Sequence, residues 1–159
     1  LVLDNLLPGR NLYLLGTGTG LAPFLSIIKD PAIYERFERV ILAHGCRNVS
    51  ELAYQDAITR ELPTHEYLGD EIRGKLIYYP TVTREAFRNT GRLTDLLRSD
   101  TLPADVGLPP IDPDNDRFML CGSPSMLKDM GALLNERGFQ ESRHGKAAHY
   151  VIERAFVES

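Results

Sequence analysis

The chain is 159 residues long, room for one domain whose core needs no disulfide or structural metal, and too short for two full catalytic domains. Hydrophobic residues make up 43% and charged residues 25%, without an apolar run of about 18 residues, so neither a membrane-spanning helix nor a disordered tail is expected. The net charge of −4 supplies no general attraction for nucleic acid or an anionic membrane, and any anion site must be local.

Short apolar runs alternate with amphipathic stretches, the pattern of a parallel sheet covered by helices. The prediction is an α/β fold: an open, mainly parallel five-stranded sheet with helices on both faces. Asn11–Leu15, between Pro8-Gly9 and Gly16, is the first strand, and a helix follows from about Ala22 with Pro23 in its first turn, where no amide hydrogen is needed. Arg39–Gly45 is the second strand. Ser50 is expected to cap a helix running to about Leu62, with Pro63 ending it. Lys75–Thr81 reads as the third strand, Pro80 lying at its end. After a short helix over Leu93–Arg98, residues 100–115 carry Pro103, Pro109, Pro110 and Pro113 and are read as a long surface loop. Arg117–Cys121 is the fourth strand, followed by Gly122-Ser123-Pro124 and a helix to about Arg137 that Gly138 stops. His149–Arg154 completes the sheet.

Gly16-Thr17-Gly18-Thr19-Gly20 lies between the first strand and its helix. Closely spaced glycines there let the backbone approach a ligand, while free amides at a helix start favour a phosphate, so a pyrophosphate is the natural occupant and a tight turn without ligand the alternative. Leu21 stands where a P-loop needs Lys, and the glycine spacing is one residue shorter than G-x-G-x-x-G. After the second strand, where NAD-specific proteins place a carboxylate for the ribose hydroxyls, the first charge is Arg47. With Arg84 and Arg92 beyond the third strand, it suits a 2′-phosphate, unless these are solvated arginines paired with neighbours such as Glu85.

These motifs, with His44-Gly45-Cys46-Arg47 and Glu51-Leu52-Ala53-Tyr54, Tyr79-Pro80-Thr81-Val82-Thr83-Arg84-Glu85, Gly91-Arg92-Leu93, Cys121-Gly122-Ser123-Pro124-Ser125-Met126 and Ala155-Phe156-Val157-Glu158, resemble the bacterial ferredoxin/flavodoxin–NADP(H) reductases, over the C-terminal NADP-binding half. The resemblance implies that residues 1–159 form an NADP(H)-binding domain whose N-terminal FAD-binding barrel is absent from this chain. It also implies hydride exchange between NADPH and flavin N5, with electrons passing to ferredoxin or flavodoxin. Gly16, Thr17, Gly18, Thr19, Gly20 and Pro23 would contact pyrophosphate and nicotinamide, joined by Gly122, Ser123 and Met126. Arg47, Arg84 and Arg92 would hold the 2′-phosphate. Cys121 would face the nicotinamide in a positional role, a small buried strand-end residue being the alternative. No partner histidine marks it as a nucleophile. Ala155, Phe156 and Val157 would pack beside the flavin, with Glu153 near enough to hydrogen-bond or supply a proton. Phe156 is otherwise read as docking the terminus onto the core.

Residues 137–154 carry a local excess of positive charge, Arg137, Arg143, Lys146 and Arg154 against Glu141 and Glu153, suited to steering an acidic electron carrier or simply solvated. The four histidines show no metal-site spacing, and no metal is expected. Cys46 and Cys121 form no Cys-x-x-Cys pair, which favours a reduced, cytoplasmic setting. A monomer is expected. The chain opens at Leu1 without an initiator Met, on a segment that reads like the middle of a protein, so a longer parent chain is expected. Two alternatives stay open: the reductase module of an oxygenase system, and a stand-alone nucleotide-binding domain without redox chemistry.

Overall fold

The computed structural model describes residues 3–52 and 57–153. Five parallel strands, β1 Asn11–Thr17, β2 Arg39–Cys46, β3 Leu76–Val82, β4 Asp116–Cys121 and β5 Tyr150–Ile152, form one sheet in the order β3-β2-β1-β4-β5. Leu12 to Gly16 of β1 and all of β4 are buried, as expected of parallel strands covered on both faces. Successive side chains alternate between two apolar layers. Tyr13, Leu15, Ile41, Ala43, Phe118 and Leu120 face α4 Leu93–Arg98, α5 Thr101–Asp105 and α6 Pro124–Glu136. Leu12, Leu14, Val40, Leu42, Met119 and Cys121 face α1 Ala22–Ile28, α2 Pro31–Arg36 and α3 Gly69–Lys75. Both layers come from this chain, so the sheet's core closes without another domain.

The chain runs outward through β1, β2 and β3, then returns across the sheet to β4 and β5. The direction reverses between β1 and β4, and the crevice beyond the carboxyl ends of those strands is where an open α/β sheet takes its ligands.

All five predicted strands are present, the third displaced by one residue because Lys75 ends α3, and the fifth shortened to Tyr150–Ile152. Pro23 sits in the first turn of α1 and Gly138 follows α6 in a left-handed conformation. Other expectations are corrected. Ser50 caps no helix: Asn48 and Glu51 form a reciprocal capping box on a single 3-10 turn, Val49–Glu51, in which the Asn48 amide donates to Glu51 Oε1 at 3.0 Å. Residues 53–56 of that expected helix lie outside the described residues, and beyond them come an irregular π-helical turn, Ala57–Glu61, and a 3-10 turn, Leu62–Thr64, that holds Pro63. The expected loop over 100–115 contains α5, anchored by fully buried Leu102 and begun at Asp100, whose carboxylate accepts from Arg137 at 3.0 Å. Two short helices were not anticipated: α2, capped by Asp30 accepting from the Ala32 amide at 3.0 Å, and α3.

At the amino edge of the sheet Arg117 is 4% exposed and donates to the carbonyls of Leu7, Pro8 and Pro113, at 3.1, 2.6 and 2.6 Å. A charge buried at the start of a strand persists because carbonyl oxygens replace its water. It ties residues 7–8 to β4, far from the crevice.

Candidate functional site

The crevice is built by a close approach of two strand ends. β1 ends at Thr17 and β4 at Cys121, and Gly122 lies so near Thr17 that a Cβ on it would sit 2.1 Å from Thr17 Oγ1 and 3.1 Å from Thr17 N. Thr17 Oγ1 accepts from the Ser123 amide at 3.1 Å, and Ser123 Oγ accepts from the Met126 amide at 3.2 Å as the cap of α6. Thr17, Gly122 and Ser123 thus join the glycine turn to the start of the longest helix, whose dipole favours an anion there. Thr17 is half-buried, Gly18 and Ser123 exposed, and Met126 buried beneath. Gly18, Thr19 and Gly20 form a 3-10 turn, Gly18–Leu21, leading into α1 with Pro23 half-buried. Gly18 has φ 55°, and nothing lies within 4 Å of where its Cβ would be, so its face of the turn is open to a ligand.

One residue that organises this turn belongs to a motif of the resemblance but is assigned no role from the sequence. His44 is fully buried on β2, its ring donating from Nε2 to the Gly18 carbonyl at 2.8 Å. The carbonyl can only accept, which assigns the Nε2–H tautomer. The signal was a histidine continuing the buried face of Val40 and Leu42 directly before Gly45. Burial lowers the His44 pKa below the ordinary 6.5, outweighing the hydrogen bond to Gly18 and the Glu51 carboxylate, which act to raise it. The unfolded chain therefore binds a proton that the native state does not, as pH falls through about 6.5. Stability from this group is complete above that pH and is lost below it. His44→Gln is expected to blunt the loss of stability between about pH 7 and about pH 5, read by urea denaturation at each pH.

The arginines gather at the carboxyl ends of β2 and β3. The Arg84 amide donates to the Arg47 carbonyl at 2.9 Å and the Thr83 amide to the Cys46 carbonyl at 3.1 Å, so the two chains leave the sheet side by side. The segment after β3 folds back: the Gly91 amide donates to the Val82 carbonyl at 3.1 Å and Thr81 Oγ1 to the Gly91 carbonyl at 2.9 Å, which sets Arg92 at the start of α4 beside the strand ends. Arg47, Arg84 and Arg92 are exposed, and among the described residues none of them makes an ion pair. Glu85, the neighbour that would neutralise them, accepts instead from the Val49 amide at 3.3 Å.

Cys121 is fully buried in the α1 layer, and burial, with the Glu153 carboxylate nearby, pushes its thiol up to about 11. The thiol therefore stays neutral at ordinary pH, at the end of β4. Half-buried Glu153 donates its amide to the Leu120 carbonyl at 2.8 Å and so stands next to Cys121 across the β4–β5 edge. Ala155, Phe156 and Val157 lie outside the described residues. A cavity of about 370 Å³ opens at the opposite, amino edge between Asn11, Arg39, Leu108 and Asp116, and shares no residue with the glycine turn. No described helix is long and apolar enough to cross a membrane.

Comparison with known proteins gives the family and the fold. Residues 14–131 match the model of the oxidoreductase NAD-binding domain family. A ferredoxin–NADP reductase from Pseudomonas aeruginosa is 63% identical over 159 residues, covering 99% of this chain and 62% of the relative. A flavodoxin/ferredoxin–NADP reductase from Rhodobacter capsulatus is 43% identical, covering 99% of this chain and 58% of the relative. The crystal structure of a ferredoxin NADP+ reductase from Neisseria gonorrhoeae with bound FAD and NADP superposes with a TM-score of 0.83 at 28% identity, over 96% of this chain and 58% of that one. The chain therefore spans about three fifths of the curated relatives it matches.

Proposed function

The chain belongs to the oxidoreductase NAD-binding domain family, and from that premise we propose that it is the NADP(H)-binding part of a flavin-dependent ferredoxin/flavodoxin–NADP(H) reductase. The observation that carries the cofactor choice is the set of exposed, unpaired arginines at the ends of β2 and β3, Arg47, Arg84 and Arg92, with no carboxylate before Arg47 to take the ribose hydroxyls. Guanidinium groups fit a dianionic 2′-phosphate as planar, multidentate donors, and a free 2′-hydroxyl gives them nothing comparable to bind.

The residues present fit a dinucleotide laid across the carboxyl edge of the sheet. Gly18 and Gly122 leave room for backbone approach on either side of Thr17, the Ser123-capped start of α6 offers a positive dipole end, and the arginines terminate the groove on the β2–β3 side. Bound there, NADPH would supply a hydride to flavin N5. The chain's contribution is to orient the nicotinamide over the end of β4, where Cys121 is small and uncharged and introduces no competing nucleophile. Glu153 beside it is suited to hold a proton or hydrogen bond near the ring. FAD would be held chiefly by a barrel domain outside this chain, with Ala155, Phe156 and Val157 against the flavin.

The relatives' names supply the electron carriers, ferredoxin or flavodoxin, that this chain is proposed to serve. Part of the basic stretch over 137–154 is already engaged, Arg137 with Asp100 and Arg143 with Glu141, which leaves exposed Lys146 as a steering charge among the described residues, Arg154 lying outside them. The setting proposed is cytoplasmic and the state monomeric. An oxygenase reductase that prefers NADH would have no use for the arginines.

The test is NADPH-dependent reduction of a dye acceptor. The chain alone is expected to hold little FAD and to reduce nothing, while a chimaera carrying the flavin domain of the Pseudomonas aeruginosa relative ahead of it turns over with NADPH far better than with NADH. Strong turnover by the chain alone, or no turnover by a folded, flavin-loaded chimaera, refutes the assignment.

A further inference from the structure

We infer that His44 is a positioning residue for the dinucleotide, acting through the carbonyl of Gly18. The inference rests on the NADP(H)-binding reading above and names how that site is held in shape.

His44 is fully buried, yet it is poorly provided for. Nε2 donates to Gly18 O at 2.8 Å, while Nδ1 is buried without a hydrogen-bond partner among the described residues. An unsatisfied buried acceptor is a net cost to the fold, so a hydrophobic residue of similar size would serve packing better. What the imidazole supplies that an apolar side chain cannot is the bond to Gly18. That bond matters at this place because Gly18 is left-handed and exposed, with nothing within 4 Å of its Cβ position, so packing does not hold the open face of the turn. A carbonyl pinned into the sheet fixes the peptide plane, and with it the direction of the neighbouring amides that a pyrophosphate would meet.

A second contact falls on the same ring nitrogen. Cys46 Sγ lies 3.3 Å from His44 Nε2 and donates to the Glu51 carbonyl at 3.4 Å. Glu51 closes the capping box of the turn that follows Arg47. A continuous set of contacts therefore runs from Gly18 through His44 and Cys46 to Glu51, spanning β2 between the turn assigned to the pyrophosphate and the loop that carries Arg47. It shares no side chain with the groups assigned to touch the ligand. His44 thus acts on binding at one remove, through the shape of the turn.

The experiment compares NADP+ with 2′-phospho-AMP, which keeps the 2′-phosphate and adenosine and lacks the nicotinamide half. Both are titrated calorimetrically into the 159-residue chain and its variants His44→Gln, His44→Asn and His44→Leu, with thermal melts to establish folding. Glutamine can bring an N–H about as far as Nε2, asparagine is too short, and leucine has no donor. The asparagine and leucine variants are expected to lose about tenfold in NADP+ affinity relative to 2′-phospho-AMP, and glutamine to stay within about threefold of the parent. A purely structural role would weaken both ligands together and leave their ratio unchanged, and that result overturns the inference. So does failure of glutamine to restore the ratio. Should the leucine variant not fold, the asparagine and glutamine pair decides. Failure of the underlying reading has a different signature, a parent chain that binds 2′-phospho-AMP no better than AMP.

Discussion

Gly122→Ala is expected to abolish measurable NADP+ binding and to destabilise the fold by about 3 kcal/mol, more than most surface substitutions cost. The added Cβ would lie 2.1 Å from Thr17 Oγ1 and 3.1 Å from Thr17 N, and Gly122 holds φ 155°, where L side chains are rarely found. Rotating Thr17 away relieves the first contact and breaks its bond from the Ser123 amide. The second is to backbone, and only separation of the strand ends relieves it. That separation opens the crevice where the ligand would lie, so stability and binding fall together. Gly74→Ala is the matched control. Its Cβ meets nothing within 4 Å on α3, and it should leave binding unchanged and stability equal or slightly higher. Urea denaturation and NADP+ titration of both variants make the comparison.

The second large effect is on nucleotide choice. Arg47→Ala and Arg84→Ala are each expected to weaken NADP+ about tenfold or more while leaving NAD+ nearly unchanged, because a charge-assisted hydrogen bond contributes about 1.5–3 kcal/mol. The double variant should bind the two nucleotides almost equally. The backbone bond between these residues joins Arg84 N to Arg47 O, so truncating either side chain leaves the β2–β3 exit intact and melting should hardly change. As the side chains are exposed, the NADP+ preference should also shrink with rising ionic strength. A loss shared equally by NAD+ would mean that these arginines shape the fold rather than read the phosphate.

The parts of this picture that were legible in the sequence are those set by short-range patterns. Buried parallel strands announce themselves as apolar runs, and Leu12 to Leu15 or Phe118 to Cys121 admit no other reading between glycine and proline punctuation. The glycine turn and the place of the arginines after β2 and β3 follow from residue type and position relative to those strands. What escaped is tertiary. Asp30-Pro31 is a sound start signal, but α2 is only six residues long and earns its stability by burying Ile33 and Tyr34. Pro103 looked like a loop residue, yet α5 forms around it because Leu102 is buried against α4 and α6. Ser50 and Asn48 are both good caps, and the choice fell to Asn48 because Glu51 stands three residues after it. Arg117 and His44 read as ordinary polar residues at strand ends. Their importance lies in carbonyl groups of residues 7, 8 and 18, which no periodicity in the sequence connects to them.

The central claim is that the unpaired arginines at the ends of β2 and β3 make this a site for a 2′-phosphorylated dinucleotide. Its most direct test is a calorimetric titration of the 159-residue chain with 2′-phospho-AMP and with AMP under identical salt and pH. The account predicts that 2′-phospho-AMP binds about 100-fold more tightly, the summed effect of two or more guanidinium contacts. Equal affinities for the two nucleotides would contradict it.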